Sequence, residues 1–485
     1  MRALSRLATV TAIAVAASLL VSSCVKNPVT GKKELVLVSE SQEVAMGREA
    51  AASVDSEMGL YPDEELQAYV ERVGIAMASA SERPDLPWRF RVVDSSVVNA
   101  FALPGGYIYL TRGILSYIND EAALAGVTGH EIGHVTARHS VQQISRQQLA
   151  GLGLGLGTVF FPEVRPFGDL LGTGLGLLFL KFGRDDEREA DRLGVRYSLA
   201  EGYDPTEMAE FFSVLKRLSG EERDIPAWAS THPDPEEREA KIREMVKETA
   251  VSTERLEVGE ERYKQSIEGL VFGENPREGF VRGRRFLHPD LKFQLEFPEG
   301  WSVRNSRQAV YSAPRDGAAA LQLTAAGLPE GTTPEAHARA FFARNNLEYS
   351  TGERIRVGPF SAYRAPFRAF TQSGEVVGEA GFIADGARIF QIIGFTYAGS
   401  YRQYSPVFRQ VILSFDRLRD KSALDIQPLR VKLYRVPESM SFSEAMERSG
   451  TDPEHREELT LLNDLSAGDA LPTGKLVKIL QRGPS

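Results

Sequence analysis

The most informative stretch of this 485-residue chain is Thr128-Gly129-His130-Glu131-Ile132-Gly133-His134. It lies in an apolar pattern that predicts one long helix from about residue 119 to about residue 149. His130 and His134 are four positions apart, so a helix places both rings on the same face. Two imidazoles at that separation can bind one zinc ion, and Glu131 beside them is the candidate general base.

A catalytic zinc site needs a third protein ligand and keeps its fourth position for water. A second helical pattern begins with Arg184-Asp185-Asp186-Glu187-Arg188-Glu189-Ala190-Asp191. Glu187 and Asp191 share one face of that helix, so we predict Glu187 as the ligand and Asp191 as the acceptor for a ligand histidine. Glu189 lies about 200° around the helix from Glu187 and is expected to point elsewhere. The alternative is a solvated helix start, because carboxylates favour helix N-termini.

These two motifs, the first followed by Arg138-His139, resemble peptidase family M48, the zinc peptidases related to the CaaX prenyl protease and HtpX. The soluble periplasmic branch of BepA-like lipoproteins is the most similar. The resemblance covers about residues 25–250. Further stretches that fit this branch are residues 27–31, 37–40, 99–106 and 230–233.

The resemblance implies a gluzincin endopeptidase that binds one Zn2+ per chain. In this reading His130, His134 and Glu187 bind the ion and Glu131 activates a water molecule. Asp191 would hold a ligand histidine in place.

His232, in the sequence Thr231-His232-Pro233, has two functional readings under this resemblance. It donates a hydrogen bond to the oxyanion of the tetrahedral intermediate, or it is a removable fourth zinc ligand that keeps the enzyme shut. Arg238 is a candidate supporting group. The alternative is a loop histidine that caps the next helix.

An edge strand next to the zinc helix can bind a substrate backbone by strand addition. Alternating patterns predict strands over residues 88–93, 97–102 and 107–110. By resemblance, the substrate-binding residues are in the second strand; an ordinary hairpin is the alternative. They are Asn99, Ala100, Phe101 and Ala102.

The other histidines receive no catalytic assignment. His139 follows His134 by five positions and is rotated off the metal face of a continuous helix, so we interpret it as structural. His288, His337 and His455 lie far outside the motifs.

Alternating Gly and Leu residues at 151–157, and a second apolar stretch at 172–180, lie between the two metal-site motifs. Each is shorter than the roughly 18 residues that span a membrane. Short helices packed over the core are one reading. A mobile flap over the cleft, or a surface that touches membrane or a client protein, is the other.

The N-terminal residues predict an exported lipoprotein. Residues 1–23 carry Arg2 and Arg6 before an apolar run that is typical of a secretory signal. Cys24, the single cysteine in the chain, follows small residues, as in a bacterial lipobox. We therefore expect cleavage before Cys24 and its acylation, with Val25 resembling an outer-membrane sorting signal. An ordinary signal peptide followed by an incidental cysteine is the alternative.

Composition describes an ordinary globular protein, with 42% hydrophobic and 25% charged residues. The net charge of −9 argues against nucleic acid as a partner. A single cysteine excludes an internal disulfide.

The second half of the chain shows a different pattern, with several strands and few helices. It predicts an antiparallel sheet with helices on one side, which we interpret as a partner-binding or spacing module. A final strand–helix–helix–strand pattern from residue 427 resembles a LysM-related module. Such modules often bind peptidoglycan, but few aromatic or amide residues lie in the tip loops, so a structural cap is equally compatible with the sequence.

The predicted fold class is α+β, with a mainly helical gluzincin-type zinc protease domain that carries a small edge-strand sheet. An antiparallel α+β domain and a small LysM-like module follow. The predicted bounds are 1–23 for the signal peptide, then 24–272, 285–420 and 427–485 for the three parts.

The predicted function is a zinc-dependent metalloendopeptidase on the periplasmic side of the bacterial cell envelope, lipid-anchored through Cys24 to the outer membrane. The resemblance implies unfolded or stalled envelope proteins as substrates. Two other functions stay open. One is a chaperone or assembly scaffold for outer-membrane proteins with a latched protease, and the other is a peptidoglycan-binding lipoprotein.

Overall fold

The computed structural model describes residues 24–149, 182–219, 227–249, 251–371 and 374–483. It is a mixed structure of helices and sheets, as predicted. The signal segment and the two apolar stretches at 151–157 and 172–180 lie outside the described residues. Within the described ranges, no helix combines the length and the apolar character that a membrane span requires.

The first half of the chain is mainly helical. Ser39 and Asp63 cap the first two helices, and their side chains accept hydrogen bonds from the backbone N–H groups of Gln42 and Leu66. The helices are α1 (Glu40–Glu57), α2 (Glu64–Ser79), α3 (Arg112–Tyr117), α4 (Glu121–Thr136), α5 (His139–Leu149), α6 (Arg184–Ala200), α7 (Thr206–Leu218), α8 (Ala227–Thr231), α9 (Pro235–Glu248) and α10 (Glu260–Ser266).

A small sheet packs beside α4. Strands β1 (Cys24–Lys26) and β2 (Lys33–Leu35) form a separate hairpin that precedes this sheet in the chain. The sheet itself contains β3 (Arg89–Val93), β4 (Ala100–Leu103) and β5 (Tyr107–Thr111) in the order β3-β5-β4. Strands β3 and β5 are parallel, whereas β4 runs antiparallel to β5 and lies at the edge.

The prediction of one continuous helix over residues 119–149 is wrong. Helix α4 ends at Thr136 and α5 begins at His139, because Arg138 adopts the left-handed conformation with φ of 62°. Its guanidinium donates to the Glu43 carboxylate at 2.9 Å and to the Val38 carbonyl at 3.0 Å. The buried charge thus obtains its partners only if the chain turns away from the axis of α4.

Glu43 joins this turn to helix α1. Its carboxylate is 1% exposed and also accepts from Arg83 at 2.8 Å, and Arg83 in turn donates to the Val135 carbonyl at 3.0 Å. One buried carboxylate therefore pairs with two buried guanidinium groups beneath the end of α4.

We expect Glu43→Ala to lower the free energy of unfolding by about 3–5 kcal/mol, because it leaves the buried Arg138 without a carboxylate and Arg83 with only the exposed Glu40. Chemical denaturation followed by circular dichroism measures this change. Glu40→Ala is the matched control on the same helix, since the Glu40 side chain also contacts Arg83 but is 70% exposed. Equal losses in the two variants would contradict the interpretation.

Helices α4 and α6 approach each other closely because small residues line their contact. A Cβ at Gly133 would lie 3.0 Å from the Ala190 Cα atom and 3.1 Å from the Ala190 carbonyl oxygen. A Cβ at Gly129 would lie 3.2 Å from the Cα atom of Gly194. All residues of α4 are buried, so the helix forms the centre of the first half.

The second half begins with short strands and continues into a large antiparallel sheet. Its eight strands follow the order β10-β11-β12-β17-β16-β15-β13, with β14 paired to β15. The strands are β6 (Val271–Phe272), β7 (Phe280–Arg282), β8 (Arg285–His288), β9 (Phe293–Glu296), β10 (Ser302–Asn305), β11 (Ala309–Ala313), β12 (Ala319–Gly327), β13 (Glu348–Tyr349), β14 (Glu353–Val357), β15 (Phe360–Thr371), β16 (Gly374–Asp385), β17 (Arg388–Tyr397) and β18 (Asp416–Arg417).

The prediction that helices cover one side of this sheet is wrong. Helix α11 (Pro334–Arg344) packs its Phe342 with Phe382, whereas α12 (Tyr401–Ser414) packs its Phe408 with Phe390. The two helices contribute to separate cores because alternate residues of each strand point to opposite faces. Each face of the sheet is thus covered by one helix.

The last segment has the predicted strand–helix–helix–strand order and packs on the first half of the chain. The Nζ atom of its buried Lys478 donates to the carbonyls of Ser116 and Ile118, just before α4. The two parts share one hydrophobic core. The predicted domain boundaries stay a prediction. The elements are α13 (Lys421–Leu424), β19 (Leu429–Arg435), β20 (Met440–Ser441), α14 (Phe442–Arg448), α15 (Arg456–Asn463), β21 (Ala470–Leu471) and β22 (Leu476–Arg482).

Candidate metal centre

Helices α4 and α6 bring three of the predicted ligands together. The Nε2 atoms of His130 and His134 lie 3.0 Å apart on one face of α4. The Glu187 carboxylate, on the first turns of α6, lies 3.5 Å from each of these two nitrogens. All three side chains are at most 2% exposed.

His232 completes the group. Its Nδ1 atom lies 3.2 Å from His130 Nε2 and 3.1 Å from Glu187 Oε1. The short helix α8 positions the ring, because Trp228 stacks on His232 with ring centroids 4.8 Å apart. Ligand atoms from His130, His134, Glu187 and His232 all lie within 4.8 Å of one another.

This donor set fits a tetrahedral zinc ion. Zinc–nitrogen bonds of about 2.0–2.1 Å place neighbouring donors of a tetrahedron about 3.3 Å apart. Five donor–donor distances in the group lie between 3.0 and 3.5 Å. Imidazole and carboxylate are also ligand types that zinc accepts.

Asp191 and Arg238 support the group from behind. Asp191 Oδ1 lies 2.9 Å from His130 Nδ1, the ring nitrogen that faces away from the cluster. Arg238 lies on α9, donates to Asp191 at 2.6 and 2.8 Å, and pairs with Glu187 at 2.9 Å. The structure thus places both predicted supporting residues next to predicted ligands.

The charges in this site favour the protonation states that a metal ion requires. Burial and the neighbouring histidines lower the pKa of His134 well below its usual value. Burial alone would raise the pKa of Glu187, but His232 and Arg238 outweigh it and lower this pKa. A neutral imidazole and an ionised carboxylate can both donate lone pairs to a cation.

Burial opposes protonation of His232 as well, but the carboxylates of Glu187 and Glu131 outweigh it and raise the pKa of His232. For Asp191, burial would raise the pKa of the carboxyl, and Arg238 and His130 reverse this effect and lower it. The carboxylates therefore carry their charges in a site that excludes bulk solvent.

Glu131 faces the same space. Its side chain is 1% exposed, and its Oε1 atom lies 3.6 Å from His232 Nε2. Neither carboxylate oxygen makes a hydrogen bond within the described part of the chain. A buried carboxylate without a hydrogen bond is costly, so this side chain is suited to accept a proton from a group that enters the site.

Comparisons with known proteins agree with this geometry. A family model described as "Peptidase family M48" matches residues 64–246. The beta-barrel assembly-enhancing protease of Escherichia coli is 31% identical over 217 residues, which cover 42% of this chain and 44% of that protein. The mitochondrial metalloendopeptidase OMA1 of Schizosaccharomyces pombe is 31% identical over 230 residues, 47% of this chain and 68% of that protein. The chain belongs to peptidase family M48.

The M48 family model matches 183 residues of this chain, from 64 to 246. The chain spans less than half the length of the bacterial relatives, 44% for the Escherichia coli protein and 45% for that of Yersinia pestis. The matched residues contain the four-residue group, Glu131 and both supporting residues.

The predicted substrate-binding residues lie on or next to strand β4 of this M48 region. Strand β4 is an edge strand of its sheet, and Ala100, Phe101 and Ala102 belong to it. Asn99 precedes it, is 7% exposed, and has an Oδ1 atom without a hydrogen bond to the described residues. Directly before it, the Val98 carbonyl accepts from the Trp228 N–H at 3.1 Å, so α8 lies against this edge.

Sequence reasoning missed three side chains next to His134. His139 and Glu189 form a chain of contacts behind the ring, although we expected the first to lie off the metal face and the second to point elsewhere. The hydrogen bond with His139 lowers the pKa of Glu189. Phe182 stacks on His134 with centroids 3.9 Å apart. In the sequence, the only indication of these contacts was that the three residues lie in or beside the two metal-site motifs.

The remaining predicted residues lie elsewhere. Cys24 begins β1, at the start of the described chain. His288, His337 and His455 do not belong to the four-residue group.

We expect Arg238→Met to destabilise the metal-free protein by about 3–5 kcal/mol, because Asp191 and Glu187 would stay buried without their cation. Zinc should reduce this loss, since a bound cation lies next to Glu187. Thermal and chemical unfolding with and without zinc measure both effects. Arg188→Met is the matched control, because Arg188 is 48% exposed and pairs with Glu237 at the surface. A loss that zinc leaves unchanged would contradict this account.

Proposed function

We propose that the protein is a zinc-dependent metalloendopeptidase that hydrolyses peptide bonds of protein substrates. One observation carries this proposal: His130, His134 and Glu187 converge at tetrahedral distances, with the unbonded Glu131 carboxylate facing the same space. Membership of peptidase family M48 supports the same reaction class.

In this proposal His130, His134 and Glu187 hold the ion. A bound zinc ion supplies Lewis acidity, which polarises a carbonyl and makes water a better nucleophile. Glu131 takes the proton of the attacking water and later donates it to the leaving amine. Asp191 and Arg238 keep the His130 ring oriented and the Glu187 carboxylate ionised.

We propose that β4 binds the substrate backbone by strand addition. It lies at the edge of the sheet and packs beside α4, which carries His130 and Glu131. Backbone hydrogen bonds do not depend on side-chain identity, so they suit an enzyme that acts on unfolded segments of many sequences.

His232 holds a fourth donor position in this conformation, and we propose that it is a latch. Its Nδ1 atom lies as close to His130 Nε2 and Glu187 as the ligands lie to one another. Helix α8 precedes His232, and its Trp228 N–H donates to the Val98 carbonyl, next to the strand β4 that is proposed to bind substrate. The ring therefore competes for the space in which water and substrate react. The oxyanion role stays as the alternative, because His232 could donate a hydrogen bond after release.

We propose the bacterial cell envelope as the location, with a lipid anchor at Cys24 on the periplasmic side of the outer membrane. The lipobox-like sequence supports the anchor, and the names of the bacterial relatives mention beta-barrel assembly. Unfolded or stalled envelope proteins would then be the substrates.

A second candidate is a chaperone or assembly scaffold whose protease is latched for most of its lifetime. The position of His232 in the donor group favours it over a constitutively open enzyme. For the final segment we propose a structural cap rather than a peptidoglycan-binding module. The buried Lys478 and the core that it shares with the first half support this role.

We expect the purified wild-type protein to contain one zinc ion per chain, and Glu131→Gln to lower kcat/KM by about 100-fold or more. The variant should keep its zinc, because Glu131 is not a ligand in this proposal. Metal analysis and cleavage of an unfolded protein substrate measure both quantities. Glu237→Gln, at a surface position of α9, is the control. Full activity of Glu131→Gln would refute the assigned base.

In cells, a biological effect that survives Glu131→Gln would favour the scaffold over the enzyme. Loss of that effect, with the protein present at its normal level, would favour the enzyme. Proteomics of envelope fractions from the two strains would identify the substrates.

The two roles of His232 predict opposite results for His232→Ala. A latch predicts at least several-fold higher proteolysis, because the fourth position becomes open to water. An oxyanion donor predicts a loss of about 100-fold or more in kcat. Initial rates at saturating substrate measure the direction of the change, and bound zinc is quantified in parallel. A decrease in rate with zinc retained would exclude the latch as the main role.

A further inference from the structure

The two histidines of α4 are held from behind in different ways. His130 Nδ1 faces a carboxylate directly, with Asp191 Oδ1 at 2.9 Å. His134 Nδ1 faces another imidazole, with His139 Nδ1 at 3.0 Å. The sequence motif alone treats the two ligands as equivalent, but their supporting contacts are not.

A carboxylate lies at the far end of the second contact. His139 Nε2 lies 3.3 Å from Glu189 Oε2, and Asp186 is farther away at 3.9 Å. The His139 side chain is 1% exposed and that of Glu189 is 20% exposed, so the contact is largely shielded from water. The break at Arg138 makes this arrangement possible, because a continuous helix would rotate His139 away from His134.

One arrangement of protons satisfies both contacts, the one between His134 and His139 and the one between His139 and Glu189. His134 Nε2 faces the donor group, so it must present a lone pair and the ring proton must reside on Nδ1. That N–H donates to His139 Nδ1, which must be an acceptor. His139 then carries its proton on Nε2 and donates it to Glu189.

We propose that His139 and Glu189 are positioning residues that fix the orientation and the tautomer of His134 for metal binding. This inference rests on the proposed zinc site. Groups that hold the second ring nitrogen of a metal-binding histidine affect its basicity and orientation. His139 would transmit the effect of Glu189 to His134, as Asp191 acts directly on His130.

Zinc affinity of the full-length protein, measured by competition with a chelator, tests this proposal. We expect His139→Leu to weaken zinc binding by about 10-fold to 100-fold. His139→Gln should recover much of the affinity, because its amide oxygen can accept from His134 and its amide N–H can donate to Glu189. The visible spectrum of the cobalt-substituted protein should change in His139→Leu and return towards that of the wild type in His139→Gln.

The matched control is Gln142→Leu, on the same helix. Gln142 is 8% exposed and donates to Glu34 and to the Ala137 carbonyl, so its loss disturbs packing at the turn without removing a contact to His134. A merely structural role of His139 predicts that both leucine variants lose thermal stability while zinc affinity and the cobalt spectrum stay unchanged.

The contacts from His134 through His139 to Glu189 form a relay. Glu189→Ala tests its outer contact, between His139 and Glu189. The Glu189 side chain is partly exposed, so this substitution puts folding less at risk. We expect several-fold weaker zinc binding, and no further loss when it is combined with His139→Leu. Asp185→Ala, whose side chain is 98% exposed on the same helix, is the control.

Unchanged zinc affinity in both His139→Leu and Glu189→Ala would overturn the relay while leaving the zinc site intact. Additive losses in the double variant would overturn the transmission from Glu189 through His139. Absence of zinc binding by the wild-type protein would instead refute the proposed function, and the relay with it.

Discussion

The close approach of α4 and α6 is the constraint on which the rest of the structure depends. Gly129 and Gly133 leave room for the backbone of α6 at Ala190 and Gly194. This contact brings the Glu187 carboxylate to 3.5 Å from both imidazoles of α4. Larger side chains at the contact would separate the helices and move the ligand out of range, so residue size at the interface determines whether the donor group exists.

Four buried ligand side chains and an adjacent carboxylate create an electrostatic problem that the surrounding residues solve. Glu187 and Asp191 are both buried, and without a cation such charges would favour protonation or unfolding. Arg238 pairs with both carboxylates, so the site keeps its ionised form in the metal-free protein. Glu131 makes no comparable ion pair with an arginine or lysine among the described residues, which distinguishes the proposed base from the carboxylate that is proposed to hold the ion.

The sequence allowed the donor group to be predicted because helical spacing fixes which residues share a face. His130 with His134, and Glu187 with Asp191, needed only that rule. The caps at Ser39 and Asp63 depend equally on local chemistry, because each side chain accepts a backbone N–H from the first turn of its own helix. The break at Arg138 does not, because its cause is Glu43, 95 residues earlier in the chain. The contact of His139 with His134 depends on that break, so spacing along one continuous helix gave the wrong direction for His139. The side of the large sheet that each helix covers was predicted wrongly for a related reason: strand alternation shows two buried faces but not which helix covers each.

Support at the two ends of α4 comes from distant parts of the chain. At its C-terminal end, Arg83 donates to the Val135 carbonyl and shares Glu43 with Arg138. Before its N-terminal end, Lys478 donates to carbonyls of Ser116 and Ile118 across more than 350 residues of sequence. Because a buried amino group without these acceptors would be costly, the final segment is held against the M48 region rather than free to move on a linker. The helix that carries the proposed base is therefore supported near both ends by residues distant in the sequence.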